Sequence, residues 1–154
     1  MIFYIFFSLL ILGALFCIYR IARADFSRRI IPDAYLFPLL LLGLVVVNFT
    51  PWVCNINESV VGAVFGYLLA SVIGIIFEKC GKANSDIAPI GMGDIKLIAV
   101  GGIWLGALGL SIALVGACLF GMLWAWRKKQ KYIPFAPFFF VGGFLAFIML
   151  KFLI

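Results

Sequence analysis

The sequence contains no histidine. That excludes a Ser/His triad and any imidazole-based metal site. Charge is scarce as well: 12% of the 154 residues are charged, where soluble domains carry about 25%. The four cysteines, Cys17, Cys54, Cys80 and Cys118, show no C-x-x-C spacing. A zinc or redox centre is therefore not expected, and the thiols read as small hydrophobes. No basic segment precedes the first apolar run. Arginines follow it instead, the reverse of a cleaved signal peptide, so a retained first span is expected. No internal repeat and no low-complexity linker is evident.

What the chain has is apolar surface, at 66% of its residues. Little is left for a soluble domain, and the expectation is a single membrane-embedded domain over residues 1–154. A helical span needs about 20 apolar residues. By that measure the chain reads as an all-α, polytopic membrane protein with about six spans. The first four cover roughly 2–22, 33–49, 59–77 and a short stretch from 95. The run from Ile95 to Trp126 is too long for one crossing and too rich in glycine for one straight helix, so a break is expected near Gly106 to Gly109. The fifth span then covers roughly 109–126 and the sixth roughly 138–154. Gly62 and Gly66 form a small-x-x-x-small face suited to close helix contact. Trp52 suits an interfacial anchor.

The basic residues fall almost wholly in the loops after spans one, three and five. The positive-inside rule then places those loops in the cytoplasm and the N-terminus outside. Lys151 is the exception, near the outer end of the last span, where it can snorkel.

Among six acids, two stand where chemistry is plausible. Asp25 follows span one inside an arginine-rich loop. Asp94, in Gly91-Met92-Gly93-Asp94-Ile95-Lys96-Leu97, precedes span four. Two spans separate them, so both belong at the cytoplasmic face. Two carboxylates held close together cannot both ionise easily; one keeps a proton while the other activates water for attack on a carbonyl. Gly91 and Gly93 allow positive φ and close approach beside Asp94. Each residue also has a plainer reading. Asp94 fits an N-cap worth about 1 kcal/mol, and Asp25 fits a counter-charge to its arginines. Asp33, directly after Pro32, is read as the cap of span two, and Lys96 as a residue snorkelling to the interface. Glu58, Glu78 and Asp86 read as solvated loop charges.

With these residues in view, the chain resembles the type IV prepilin peptidases. Gly91-Met92-Gly93-Asp94-Ile95-Lys96-Leu97 is similar to that family's G-x-G-D-x-K-L motif. Asp25, followed by a short stretch ending in Ile31-Pro32-Asp33, resembles its other acid motif, and Ile133-Pro134-Phe135-Ala136-Pro137 fits as well. The resemblance implies a membrane aspartic endopeptidase of the inner membrane. It would cut the short basic leader from prepilins or pseudopilins at the cytoplasmic face, with Asp25 and Asp94 catalytic and Gly91, Gly93, Lys96, Pro32 and Asp33 supporting the motifs. The partners implied are that substrate and the bilayer. No cofactor, metal ion or nucleic acid is expected. Many members carry an extra N-terminal portion with paired C-x-x-C motifs associated with N-methylation. This sequence begins at the first peptidase span without them, so methyltransferase activity is expected to be absent. The competing class is a small ion- or proton-coupled transporter using the same acids. It predicts a midplane acid or two related halves, and neither is visible.

Overall fold

In the computed structural model, residues 2–50, 54–80, 90–129 and 133–153 are described, and every regular element among them is an α-helix. They are α1 (Ile2–Arg28), α2 (Asp33–Phe49), α3 (Ile56–Cys80), α4 (Met92–Lys128) and α5 (Phe135–Leu153). α1, α3, α4 and α5 are long and apolar enough to cross a bilayer; α2 is equally apolar with 17 residues. The chain is a multi-pass, all-α membrane protein. Trp52, Lys82, Asp86 and Lys131 lie outside the described residues.

The expected fourth and fifth spans are the two arms of one element. As a straight helix, the 37 residues of α4 would run about 55 Å at 1.5 Å per residue, against a hydrocarbon core of about 30 Å. The run breaks at Gly106, whose φ of 67° and ψ of −178° belong to a region open essentially to glycine alone. A Cβ placed on Gly66 of α3 would lie 2.6 Å from Leu110 and 3.1 Å from Ile98. In an unbroken helix those two residues would stand about 18 Å apart, so α4 doubles back at Gly106. α5 then runs antiparallel to the second arm: Ile133 and Phe138 lie beside Gly121, and Leu150 lies beside Gly109.

Packing follows from small residues. A Cβ on Gly62 would stand 2.6 Å from the Gly102 carbonyl oxygen, so the expected Gly62/Gly66 face is where α3 and α4 come together. Trp104 crosses from α4 to α2, where its Nε1–H donates to the Leu39 carbonyl at 3.1 Å and its ring lies over Gly43. α4 packs against α2, α3 and α5, while α1 packs against α2 and α5; among the described residues the backbones of α1 and α4 make no close approach. Ile21, Leu97 and Leu110 are fully buried in the core that these helices share.

The helix ends therefore gather into two groups. One holds the end of α1 and the starts of α2, α4 and α5. The other holds Cys54, the start of α3, Gly106 and the end of α5. The loops expected to share one side all begin or end in the first group.

Candidate active site

Asp25 sits in the last turn of α1 and is 5% exposed. The helix stops just beyond it because Arg29 adopts a left-handed conformation (φ 54°), with its N–H donating to the Asp25 carbonyl at 2.9 Å. Burying a carboxylate is costly unless it is hydrogen-bonded or paired. Here the Ala136 N–H donates to Asp25 Oδ2 at 2.7 Å, and the Arg29 charge acts on the same carboxylate. Ala136 is the second residue of α5, so its N–H is one of the unpaired donors at the positive end of that helix.

This is the role of the Ile133-Pro134-Phe135-Ala136-Pro137 segment that sequence reasoning missed. In the sequence the segment fits the family resemblance, with no partner assigned to its N–H groups. Its signal was present: between two prolines at a helix N-terminus, the Phe135 and Ala136 N–H groups have no intrahelical acceptor and can be offered to a carboxylate from elsewhere. What the sequence lacked was any sign that Asp25, 111 positions away, is the acceptor.

Asp94 is half-buried in the first turn of α4. Its Oδ2 accepts from the Gly91 N–H at 3.3 Å, and its own N–H donates to the Gly91 carbonyl at 3.0 Å. Asp94 thus satisfies a helix-end donor, but as the third helical residue reaching back. Gly91 holds the N-cap position and has no side chain to reciprocate. The expectation that the motif glycines supply positive φ is corrected. Gly91 is extended (φ −68°), and Gly106 is the positive-φ glycine among the described residues. Close approach is what these two glycines provide. A Cβ on Gly93 would lie 2.9 Å from Ile31 Cβ, and one on Gly91 would lie 3.2 Å from Asp94 Oδ2.

The two acids thus come from helices whose backbones do not pack on each other, yet the Asp25 charge acts on Asp94. Gly93 against Ile31 on one side and Ala136 against Asp25 on the other tie the two acid-bearing ends together.

Asp33 and Lys96 depart from their sequence readings. Pro32 occupies the N-cap position of α2, and Asp33 is the first helical residue with no capping bond of its own. Asp33 Oδ2 instead accepts from Lys96 Nζ at 2.7 Å, joining the start of α2 to the first turn of α4. Lys96 therefore holds a carboxylate rather than reaching for the headgroups. The pair is largely exposed and borders a groove of about 340 Å³ lined by Leu36, Phe37, Leu40, Tyr67, Ala99 and Val100. Lys96 is two residues after Asp94, about 200° round the helix, so this groove opens on the other side of α4 from Asp94. Among the described residues no group of three or more His, Cys, Asp or Glu could hold a metal ion.

The chain as a whole is similar to known proteins. A family described as the Type IV leader peptidase family matches residues 4–126. A protein of Escherichia coli K12 named "Prepilin leader peptidase/N-methyltransferase" is 32% identical over 158 aligned residues, covering 92% of this chain and 68% of the relative. Proteins of the same name from Dichelobacter nodosus and Pseudomonas aeruginosa are each 35% identical, covering 80% of this chain and 43% of the relative. The chain thus spans less than half the length of those two relatives. No solved structure matches it.

Proposed function

Because the chain belongs to the Type IV leader peptidase family, we propose that it is an aspartic endopeptidase that removes the leader peptide from prepilins or pseudopilins. What supports this reading is a single juxtaposition. One end of the bundle holds Asp25 and Asp94 within electrostatic reach of each other, on helices whose backbones are held apart.

Two carboxylates within electrostatic reach do not ionise together easily, so one keeps its proton while the other is ionised. The ionised member takes a proton from water as its oxygen attacks the peptide carbonyl. The protonated member hydrogen-bonds to that carbonyl oxygen and then passes a proton to the leaving amine. The titration belongs to the pair, and neither acid is assigned a fixed role. Ala136 and Arg29 keep Asp25 in place and satisfied. Gly93 lets Ile31 pack against the start of α4, and Gly91 gives the Asp94 carboxylate room beside its own backbone.

The site end is proposed to face the cytoplasm in the inner membrane, since Arg23, Arg28, Arg29, Arg127, Lys128 and Lys129 flank it. Methyl transfer, which the relatives' names also carry, is not part of the proposed activity. A proton-coupled transporter is the weaker reading, because both acids lie at helix ends rather than at a midplane break.

Co-expression with candidate prepilins tests the proposal, with leader removal read by mobility shift and N-terminal sequencing. Wild type is expected to cleave, and Asp25→Asn and Asp94→Asn are each expected to leave the leader in place while inserting normally. Cleavage at the normal rate by either variant would end the dyad reading.

A further inference from the structure

Arg20 has no counter-ion among the described residues. It lies on α1, one and a half turns before Asp25. It does not trail into solvent either. Its Nε and Nη2 donate to Tyr35 Oη at 3.1 and 2.7 Å. Its guanidinium carbon stands 5.1 Å from the Tyr35 ring centroid and 6.0 Å from that of Phe16, and the two rings meet edge to face at 6.3 Å. Two aromatic faces and one phenol therefore fix the fork, and a guanidinium has five N–H groups, so donors are left over.

The surroundings say what those donors meet. Leu9, Leu12 and Phe16 precede Arg20 at spacings of three and four residues, which puts all four on one face of α1, and all are exposed. The face is thus an apolar track ending in a fixed cation. Arg20 also lies about 7.5 Å nearer the membrane centre than Asp25 along the helix, at 1.5 Å per residue. That is the depth of a headgroup against the acyl chains, while Arg23 and Arg28 stand beyond it.

We propose that Arg20, held by Tyr35 and Phe16, is a binding site for the phosphate of an anionic phospholipid whose acyl chain lies along Leu12 and Leu9. This goes beyond the peptidase reading and does not depend on it. A phosphate accepts two parallel N–H bonds from a guanidinium, and a planar fork already fixed in place loses little freedom on binding it. The α1–α2 contact that Tyr35 makes through Arg20 would then be reinforced by lipid.

The test is native mass spectrometry of the purified full chain in detergent, titrated with phosphatidylglycerol or phosphatidylcholine. Wild type is expected to keep phosphatidylglycerol in preference. Arg20→Gln is expected to lower that preference about tenfold, because the charge-assisted pair of N–H bonds from the fixed fork is lost. Arg23→Gln, which removes an exposed arginine nearby, is expected to change it less than twofold. Arg20→Lys keeps the charge but not the fork, and is expected to lose most of the preference; it also serves if Arg20→Gln does not fold. An unchanged preference in both Arg20 variants overturns the site, and so does an equal fall in Arg20→Gln and Arg23→Gln, which would mean bulk charge alone. Removal of the lipid by millimolar inorganic phosphate, or by a peptide carboxylate, would give the site to a soluble anion and overturn the lipid assignment.

Discussion

The two ends of this bundle are built on opposite principles. At the end that holds Asp25, helix termini meet through polar bonds, Ala136 to Asp25 and Lys96 to Asp33, and the start of α4 is closed by Gly91 to Asp94. The backbones of α1 and α4 stay apart there. At the other end, Gly62, Gly102 and Gly106 let backbones touch, and Cys54 fills the space beside Gly106. Cys54 Sγ lies 3.0 Å from Ser59 Oγ, and burial pushes its thiol above the usual cysteine range. Close packing gives rigidity, and the groove of about 350 Å³ beside Gly106, lined by Cys54, Glu58, Val61 and Leu108, carries one acid and no pair of them. The polar end keeps the backbones of α1 and α4 apart, the two helices meeting there through the Phe26 and Trp124 rings at 6.5 Å, and it is where the proposed dyad lies. Substitutions at the polar end should therefore cost activity, and those at the packed end should cost stability.

The largest expected effect is at the dyad itself. Removing a general acid or base costs about 10²- to 10⁴-fold, so Asp94→Asn and Asp25→Asn should each lower cleavage in proteoliposomes by that much with little change in melting temperature. A large loss of melting temperature in Asp94→Asn would place it with the packed end and blur the contrast. Next comes Ala136→Pro, which removes the N–H from Asp25 in a first helical turn where proline is tolerated. A hydrogen bond to a charged group is worth about 1.5–3 kcal/mol, so the cleavage rate should fall about 10- to 100-fold while the helix persists. Activity should also show a bell-shaped pH profile, since the pair works with one acid protonated and the other ionised and loses function when it holds two protons or none. A flat profile across the carboxylate range would separate the acids from the chemistry.

Gly106→Ala sharpens the comparison from the other side. The backbone there costs about 1–3 kcal/mol for a residue with a Cβ, and the added carbon would lie 3.2 Å from Cys54 Cβ. Thermal unfolding should show the loss, with turnover per folded molecule unchanged. The smallest effect is expected at Lys96→Met. Its ion pair with Asp33 is exposed, and such pairs are worth about 0–1 kcal/mol. A loss comparable to Ala136→Pro would show that the groove beside Lys96 takes part in cleavage.

Much of the molecule was legible without coordinates. Runs of apolar residues dictate helices of membrane length, because a backbone in lipid must satisfy its own hydrogen bonds. Ile95 to Trp126 exceeds one crossing, so a break was required, and among its glycines Gly106 takes it. Gly62 and Gly66 announce close contact by their spacing. The acids Asp25 and Asp94 stood out because each lies in a stretch that resembles one of the family's two acid motifs.

Tertiary structure decided the rest. Asp33 after Pro32 satisfies every local rule for a cap, yet it bonds Lys96, because only the folded chain brings the two within 2.7 Å. Asp25 and Ala136 are far apart in sequence, and no periodicity links a carboxylate to a backbone N–H beyond the next few residues. Local pattern fixes what each segment must bury. Which polar groups then complete one another depends on how helices of similar apolar surface are arranged, and that is settled only when their small residues choose where backbones meet.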